Sequence, residues 1–357
     1  MAWRMPHEGA PHDRTWMAFP AEGQTLGDEA AEQERFYEAW SAVANAIIDF
    51  EPVTMVVDPS EVARARRMLS GEVEIVEAPV DEFWFRDHGP TFVVDDDRPG
   101  VLGAVDWVFN GWGDRGWSDF EKSAEHARLV SGLVGSELIS SMLVNEGGGI
   151  HVDGEGTILL TETVQLDIRR NPYADRARVE AEFARTLGTT KAIWLPRGLT
   201  RDYDDFGTNG HVDIVAAFGR PGTVILHEQQ NPEHPDFEVS RALKEFLTGQ
   251  TDAAGRTLEI IDLPAPATIR DEEGFVDYSY VNHLVVNGGV IACGFGDERG
   301  DAQAREILEA AYPGDRRAVT IDARPIFAGG GGIHCITQQQ PSVAPVAEPV
   351  EAQGREA

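Results

Sequence analysis

Short apolar runs alternate with longer amphipathic stretches along the chain. Six short runs rich in β-branched residues predict strands at 53–57, 73–76, 157–160, 224–226, 258–261 and 290–293. Five stretches with apolar residues at three- and four-residue spacings, and Asp or Glu near the start, predict helices at 29–50, 119–133, 175–187, 238–247 and 301–311. This alternation predicts an α/β architecture.

Two short strings recur within the chain. GGGIH occurs at 147–151 and again at 330–334, and HVD occurs at 151–153 and again at 211–213. The second HVD starts 60 positions after the first, and the second GGGIH starts 183 positions after the first, close to three times that distance. A shared spacing indicates a unit repeated around an axis, as in a propeller. The aperiodic, Pro-, Ala- and Glu-rich segment 341–357 predicts a disordered C-terminal tail, and residues 1–340 predict a single domain.

The charge narrows the classes of partner. The 357 residues include 61 acidic and 30 basic ones, for a net charge of -31. Such a surface repels nucleic acids and anionic membranes, so neither is expected as a main partner. Two cysteines are too few for a disulfide framework or a thiolate zinc site. The N-terminal residues lack the apolar core of a signal peptide, and no apolar run is long enough to span a membrane, so we expect a cytoplasmic protein.

The two cysteines differ in their surroundings. Cys335 follows four glycines and the pair Ile333-His334, and a glycine-rich backbone can approach a ligand closely. We therefore expect Cys335 to be exposed at a site. Cys293, within VIACGFGD, is more typical of a buried structural cysteine.

A nucleophilic cysteine needs a proton partner, usually a histidine. The candidates include His151, His211, His283 and His334. On an extended segment residues two apart share a face, so His211 and Asp213 could enter one pocket. His151 and Asp153 have the same spacing, and spacing alone does not separate the two pairs.

Two further segments carry candidate binding groups. In FWFRDHGP, Trp84 and its aromatic neighbours precede Asp87, which suits a flat cation but equally fits a core strand ending in a salt bridge and a turn. In NEGGG, Glu146 precedes three glycines and could lie at an accessible strand end, although the same string fits a simple turn.

The strings FWFRDHGP, NEGGGIHVDGEGTILLTE, RNPY, WLPRGL, TNGHVD and GGGGIHCITQQQP resemble, in this order, the agmatine deiminase and bacterial peptidylarginine deiminase family of the guanidino-group-modifying pentein superfamily. The opening MPHEGAPHDRTWMAFP is also similar. The resemblance implies a pentein α/β-propeller, a closed ring of five ββαβ units about a pseudo-fivefold axis, and a homo-oligomer.

The resemblance also implies residue roles. It matches Cys335 to the nucleophile, His211 rather than His151 to the catalytic histidine, and Asp87 and Asp213 to the carboxylates that bind the guanidinium. Glu146 matches a further acidic residue of the site, and Trp84 and Gly210 are expected to contact the substrate. No metal or organic cofactor is expected.

The implied reaction is hydrolysis of a small cationic guanidine, with agmatine the leading candidate, through a covalent amidino-cysteine. The expected products are N-carbamoylputrescine and ammonia. The alternatives are a deiminase of another guanidino compound or of peptidyl-arginine, and an amidinotransferase. The chain departs from typical agmatine deiminases by lacking their DNWR segment, where it reads AEGQTLGDEAAEQERF, and by reading RDYDDFGTNGH before Val212. We expect both regions to shape the far end of the substrate pocket.

Overall fold

The structure is a computed structural model that describes residues 2–23 and 25–343. The strands are β1 Trp3–Arg4, β2 His12–Ala18, β3 Val53–Val57, β4 Glu74–Glu77, β5 Thr91–Asp95, β6 Leu102–Val108, β7 Glu137–Val144, β8 Ile150–Val152, β9 Thr157–Thr161, β10 Lys191–Leu195, β11 Ala216–Arg220, β12 Thr223–Glu228, β13 Glu259–Pro264, β14 Leu284–Val286, β15 Gly289–Gly294, β16 Arg317–Asp322 and β17 Gln338–Pro341. The helices are α1 Ala30–Ile47, α2 Val62–Met68, α3 Phe85–His88, α4 Gly111–Asp114, α5 His126–Val134, α6 Glu162–Gln165, α7 Arg176–Leu187, α8 Asp236–Leu247, α9 Glu298–Ala311 and α10 Arg324–Ala328.

The described strands form five sheets of one design. The strand orders are β1-β5-β6-β7, β10-β9-β8, β11-β12-β13, β14-β15-β16 and β17-β2-β3-β4. In each sheet two strands pair antiparallel, and a helix then leads to a third strand that runs parallel to the second. The helices at these crossovers are α5, α7, α8, α9 and α1. The prediction of five ββαβ units is confirmed.

The fifth unit joins the two ends of the described chain. Strand β17 pairs antiparallel with β2, with Gln338 opposite Trp16 and Gln340 opposite Arg14. The side chain of Trp16 also donates its Nε1–H to Gln340 Oε1 at 3.0 Å. Pro341, where the predicted tail begins, is the last residue of β17, and residues 344–357 of that tail lie outside the described residues.

Helix α1 shows how the apolar pattern produces the core beside the site. Phe36, Trp40, Val43 and Ile47 recur on one face of the helix and are buried. Trp40 meets the ring of Phe83 edge-on at 5.2 Å, and it meets that of Trp84 in the same way at 5.4 Å. This packing fixes the segment that leads into α3. No helix in the described part of the chain is long and apolar enough to cross a membrane.

All six predicted strands and all five predicted helices are present, with shifted ends, but other elements escaped the pattern. Strand β17 reads QQQP and has no apolar residue except its proline, yet all four of its residues are buried. Strand β7 alternates buried and exposed positions over its central residues, but it exposes Leu138 and Met142. Hydrophobic periodicity misses such strands because pairing with neighbours, and not side-chain polarity, decides their place.

Candidate active site

The nucleophile candidate lies at the base of a buried site. Cys335 follows α10 and the glycine run but is only 6% exposed, so the expectation of an exposed cysteine is wrong. Asn282 Nδ2 donates to its Sγ at 3.1 Å, and Asp213 Oδ2 lies 3.5 Å from the same sulfur. Burial, followed by the charges of Asp213 and Asp87, raises the pKa of the Cys335 thiol well above its ordinary value.

Asp87 belongs to a single helical turn, α3, and not to the core strand that FWFRDHGP also fitted. Its Oδ2 accepts the Nε1–H of Trp112 at 2.8 Å, and its Oδ1 accepts the backbone N–H of Gly148 at 2.9 Å. Burial, opposed by His211 but reinforced by Asp213, raises the pKa of Asp87 to about 6.

His211 lies between carboxylates. Its Nε2 is 3.4 Å from Glu146 Oε2, and its Nδ1 is 3.9 Å from Asp87 Oδ2 with no hydrogen-bond partner. Burial alone would lower the pKa of His211, but Asp87, Glu146 and Asp213 together raise it to about 9. The imidazole is therefore protonated at neutral pH.

Glu146 is fully buried, so the expectation that it has open access is wrong. Arg170 Nε donates to both of its carboxylate oxygens, at 2.9 and 3.0 Å. Burial opposes ionisation, but Arg170 and His211 lower the pKa of Glu146 to about 2. Glu146 is thus a permanently charged partner that faces His211.

Asp213 has one bonded oxygen and one free oxygen. Its Oδ2 is 2.8 Å from His334 Nδ1, and its Oδ1 is buried without a hydrogen-bond partner. Burial would raise its pKa, but His334, His211 and Arg86 lower it. An ionised carboxylate with a vacant acceptor atom is ready to bind a donor.

Three of these side chains converge on Gly148. A Cβ atom at that position would lie 2.5 Å from His211 Nδ1, 2.9 Å from Asp87 Oδ1 and 3.0 Å from Asp213 Oδ2. Only glycine leaves room for all three groups. The glycine run after Glu146 forms a short 3₁₀ turn. Its lack of side chains lets His211, Asp87 and Asp213 approach one another.

The two remaining sequence candidates lie at the edge of this cluster. Trp84 is 4% exposed, and a Cβ atom on Gly331 would touch both Trp84 and Cys335 Sγ, at 2.8 and 3.0 Å. Gly210 has φ +107°, and its N–H donates to Asp202 Oδ2 while its carbonyl accepts from Thr161 Oγ1. Both backbone groups of Gly210 are already bonded within the protein.

The geometry assumed for the HVD strings holds for only one of them. His151 and Val152 lie on the extended strand β8. The second string bends after His211 into a 3₁₀ turn over Val212–Ile214. The premise of an extended segment is thus wrong for His211 and Asp213, although both side chains do reach Gly148.

A cavity of about 500 Å³ lies beside the glycine run before Cys335. Its lining includes Thr25, Gly27, Glu32 and Phe36 from the segment that replaces DNWR, Arg201, Asp202, Asp204, Phe206 and Gly207 from the segment before Val212, and Glu273, Asp277, Gly329 and Gly330. Both departing regions therefore line one cavity. Among the described residues of the lining, Arg201 is the only basic one, and it is paired with Asp271 and Glu273. Burial and the charge of Asp202 raise the pKa of Asp277 to about 7.

The cavity is linked to the reactive cluster by aromatic contacts. Phe206 meets Trp117 edge-on at 5.8 Å, and Trp117 stacks on Trp112 at 5.1 Å. Trp112 in turn donates to Asp87. The cavity wall thus continues to the carboxylate beside His211.

Glu8, His151 and His334 are close enough together to hold a metal ion. However, the atoms that would bind the metal already face hydrogen-bond partners within the protein. His151 Nδ1 accepts the backbone N–H of Phe218, so its proton lies on Nε2, which faces Glu8 Oε2 at 3.6 Å. Both ring nitrogens of His334 are bonded to carboxylates. This donor set suits a hydrogen-bond network better than a metal.

The sequence reasoning missed several residues that contact the proposed site residues, among them Trp112, Arg170, Asn282, Asp202 and, as a partner of Asp213, His334. Arg170 could have been found, because a buried carboxylate demands a cationic partner and RNPY is among the strings that match the family. Nothing in the strings around Trp112 or Asn282 indicates their contacts.

Five ββαβ units closed by a C-terminal strand, with a thiol, a histidine and carboxylates buried together, define a protein of the pentein class. The chain belongs to the Porphyromonas-type peptidyl-arginine deiminase family, whose model matches residues 4–341. A relative from Streptomyces coelicolor, provisionally named an agmatine deiminase, is 56% identical over 342 residues, 96% of this chain and 99% of the relative. The agmatine deiminase of Stutzerimonas stutzeri is 38% identical and covers 95% of each chain. The solved structure of the agmatine deiminase of Enterococcus faecalis superposes with a TM-score of 0.87 at 33% identity, over 96% of this chain and 97% of the other.

Proposed function

We propose that the protein is an agmatine deiminase, which hydrolyses the guanidinium of agmatine to N-carbamoylputrescine and ammonia. One observation carries the proposal. Two ionisable carboxylates, Asp87 and Asp213, face a buried thiol, and Asp213 Oδ1 has no partner. A planar guanidinium offers N–H donors that suit two such carboxylates and bring its central carbon to the sulfur.

The charges of the site support activation of the thiol by substrate. Asp87, Asp213, Glu146 and Glu8 lie among four cations, the guanidinium groups of Arg86 and Arg170 and the protonated rings of His211 and His334, and Arg170 also pairs with Asp167. A thiolate in the empty site would be an excess negative charge, which agrees with the raised pKa of Cys335. The guanidinium of a substrate would balance it, so the thiolate forms fully when substrate is bound.

The chemistry follows from these positions. The thiolate of Cys335 attacks the central guanidinium carbon and forms a C–S bond. His211 donates its proton to one amino nitrogen, and ammonia leaves as that C–N bond breaks. The amidino-thioether that remains is attacked by water, from which His211 takes a proton. The C–S bond then breaks and releases the ureido product, so one histidine acts first as acid and then as base.

Two features favour agmatine among the guanidines. The adjoining cavity carries Glu32, Asp202, Asp204, Glu273 and Asp277, and its one basic residue is already paired. A carboxylate-rich cavity suits a second cation on the substrate, such as the ammonium of agmatine. The similar proteins from Stutzerimonas stutzeri and Enterococcus faecalis are both named agmatine deiminases.

Ammonia release tests the proposal, with agmatine, free arginine, an arginine peptide and a buffer blank. We expect release from agmatine, its abolition by Cys335→Ala, and its retention by Cys293→Ala. The second cysteine is a matched control, because it is also buried but its Sγ bonds to backbone groups of Asn282 and Ile333. Release only from arginine or the peptide would show that the substrate is a different guanidine, and the proposed mechanism would stand. Release that requires an added amine would indicate an amidinotransferase, and release by Cys335→Ala would refute the mechanism.

A further inference from the structure

His334, the residue before the nucleophile, has a carboxylate at each ring nitrogen. Its Nδ1 is 2.8 Å from Asp213 Oδ2, and its Nε2 is 2.8 Å from Glu8 Oε1. All three side chains are buried. An ionised carboxylate only accepts hydrogen bonds, so the ring can bond to both carboxylates only when both of its nitrogens carry protons. The geometry therefore describes an imidazolium between two carboxylates.

Glu8 has two further partners besides His334. Arg86 Nη1 lies 3.5 Å from Glu8 Oε1, and Arg86 Nε donates to the backbone carbonyl of His334 at 3.2 Å. His151 Nε2 lies 3.6 Å from Glu8 Oε2. Glu8 thus fixes the position of His334 Nε2, and His334 Nδ1 in turn holds Asp213 Oδ2.

We propose that His334 is a positioning residue for deimination, which as a buried imidazolium keeps Asp213 ionised and leaves its Oδ1 free to accept the guanidinium. The inference rests on the proposed function and extends it to a residue that does not touch the substrate. Of the two carboxylate oxygens of Asp213, Oδ2 is bonded to His334, and Oδ1 is buried without a hydrogen-bond partner. An ionised carboxylate with one oxygen fixed presents the other in one direction.

The pKa directions agree with this assignment. Burial and Arg86 would lower the pKa of His334, but Glu8 and Asp213 raise it. Burial would raise the pKa of Asp213, and His334 is the first of the groups that lower it. Asp87, which has no such partner, has a pKa raised to about 6.

Other charged or titratable groups also face this pair. They are Glu8 from the N-terminal segment, Arg86 and Asp87 from α3, His151 from β8, His211, His283, Cys293 from β15 and Cys335. Arg86 and His211 also favour ionised Asp213. Removal of the imidazolium therefore raises the pKa of Asp213 without preventing its ionisation.

The test is the pH dependence of kcat/KM for ammonia release from agmatine by His334→Gln. Glutamine can bond to one carboxylate but carries no charge. Protonation of Asp213 should add an acid limb below the one that Asp87 sets near pH 6. We expect this limb to move to higher pH in the variant, with a loss of about tenfold near pH 4 that vanishes above pH 7. Glu8→Gln, which removes the anchor and leaves the imidazole, should move the limb in the same direction by less. An equal loss at every pH would contradict the proposal.

His151→Gln is the matched control. His151 faces the same Glu8, and its ring lies 6.1 Å from that of His334, but it has no contact with Asp213. We expect its acid limb to stay in place. An equal shift in His151→Gln would assign the effect to Glu8 and overturn the role of His334.

A readout without turnover separates this inference from the proposed function. The pKa of Asp213 can be followed by ¹³C NMR of the labelled carboxyl carbon, assigned with Asp213→Asn. A pKa that rises in His334→Gln supports the inference even if no guanidine is hydrolysed, and an unchanged pKa overturns it even if agmatine is. Thermal unfolding of each variant shows whether the fold is intact.

Discussion

The tripeptide His-Val-Asp occurs twice in this chain, and the two copies differ in what their side chains bond to. Asp153 accepts the backbone N–H groups of Glu155 and Thr157, both at 2.8 Å, and the hydroxyl of Thr157. His151 Nδ1 accepts the N–H of Phe218. In the second copy, His211 Nδ1 and Asp213 Oδ1 are buried with no partner.

The comparison teaches that the two copies differ in the bonds left unmade and not in residue types, and the unmade bonds lie in the copy that belongs to the proposed site. A buried polar atom without a partner costs about 1–3 kcal/mol of folding free energy. A fold keeps such a cost where a ligand supplies the missing bond. The first copy stabilises a strand and turn, whereas the second holds two vacant atoms beside a thiol.

The largest expected difference between the copies concerns the histidines. His211→Gln should lower kcat for ammonia release by about a thousandfold, because the acid for the departing nitrogen is lost. His151→Gln should keep kcat within about threefold, since its ring bonds only to structural groups. Steady-state rates of the two variants check this difference, and comparable losses would show that the copies are not functionally distinct.

Substitution of the two aspartates should affect different properties: Asp213 the kinetics and Asp153 the stability. Asp213→Asn should lower kcat/KM by about a hundredfold, through loss of one charged hydrogen-bond acceptor for the guanidinium. Asp153→Ala removes three accepted bonds and should lower the free energy of unfolding by about 1–3 kcal/mol, with normal rates for the folded protein. Urea unfolding and kinetics on both proteins measure the two effects. A destabilised Asp213→Asn with normal kinetics would reverse the assignment.

The smallest effect is the pH dependence of the wild-type enzyme. In the proposed reaction Asp87 must be ionised to bind the guanidinium, and its pKa is raised to about 6. His211 must be protonated to act as an acid, and its pKa is raised to about 9. kcat/KM should therefore rise through the lower value and fall through the higher one, by about tenfold per pH unit on each limb. Rates that stay constant below pH 6 would remove Asp87 from the proposed reaction, and rates that stay constant above pH 9 would remove His211 from it.

The sequence predicted the repeated architecture but not which copy of HVD is reactive. Spacing could not separate the copies because the strings are identical, and the resemblance to a family decided for His211. The physical difference lies in the backbone, which stays extended at His151 but turns after His211. Such a turn depends on Asp202, which accepts the N–H groups of Gly210 and His211 from several residues away.

The burial of the site residues, and their contacts with residues far away in the sequence, also could not be predicted from the sequence. Glycine runs near Glu146 and Cys335 indicated openness, but both runs make space for packed side chains of the site. Asn282 reaches Cys335 from 53 positions away, and Trp112 reaches Asp87 from 25 positions away. Contacts of this kind are set by how the five units meet and not by local pattern.

The closure of the fifth unit by β17 bears on how the protein acquires its site during synthesis. The hydrogen bond from Trp16 to Gln340 joins residues 324 positions apart, so β2 stays without this neighbour until almost the whole described chain has been made. Contacts of such separation form late and slowly. Cys335 lies three positions before β17, so we expect the thiol to reach its pocket only when β17 can pair with β2. An unfinished chain would then carry the carboxylates and the histidine of the proposed site without its proposed nucleophile.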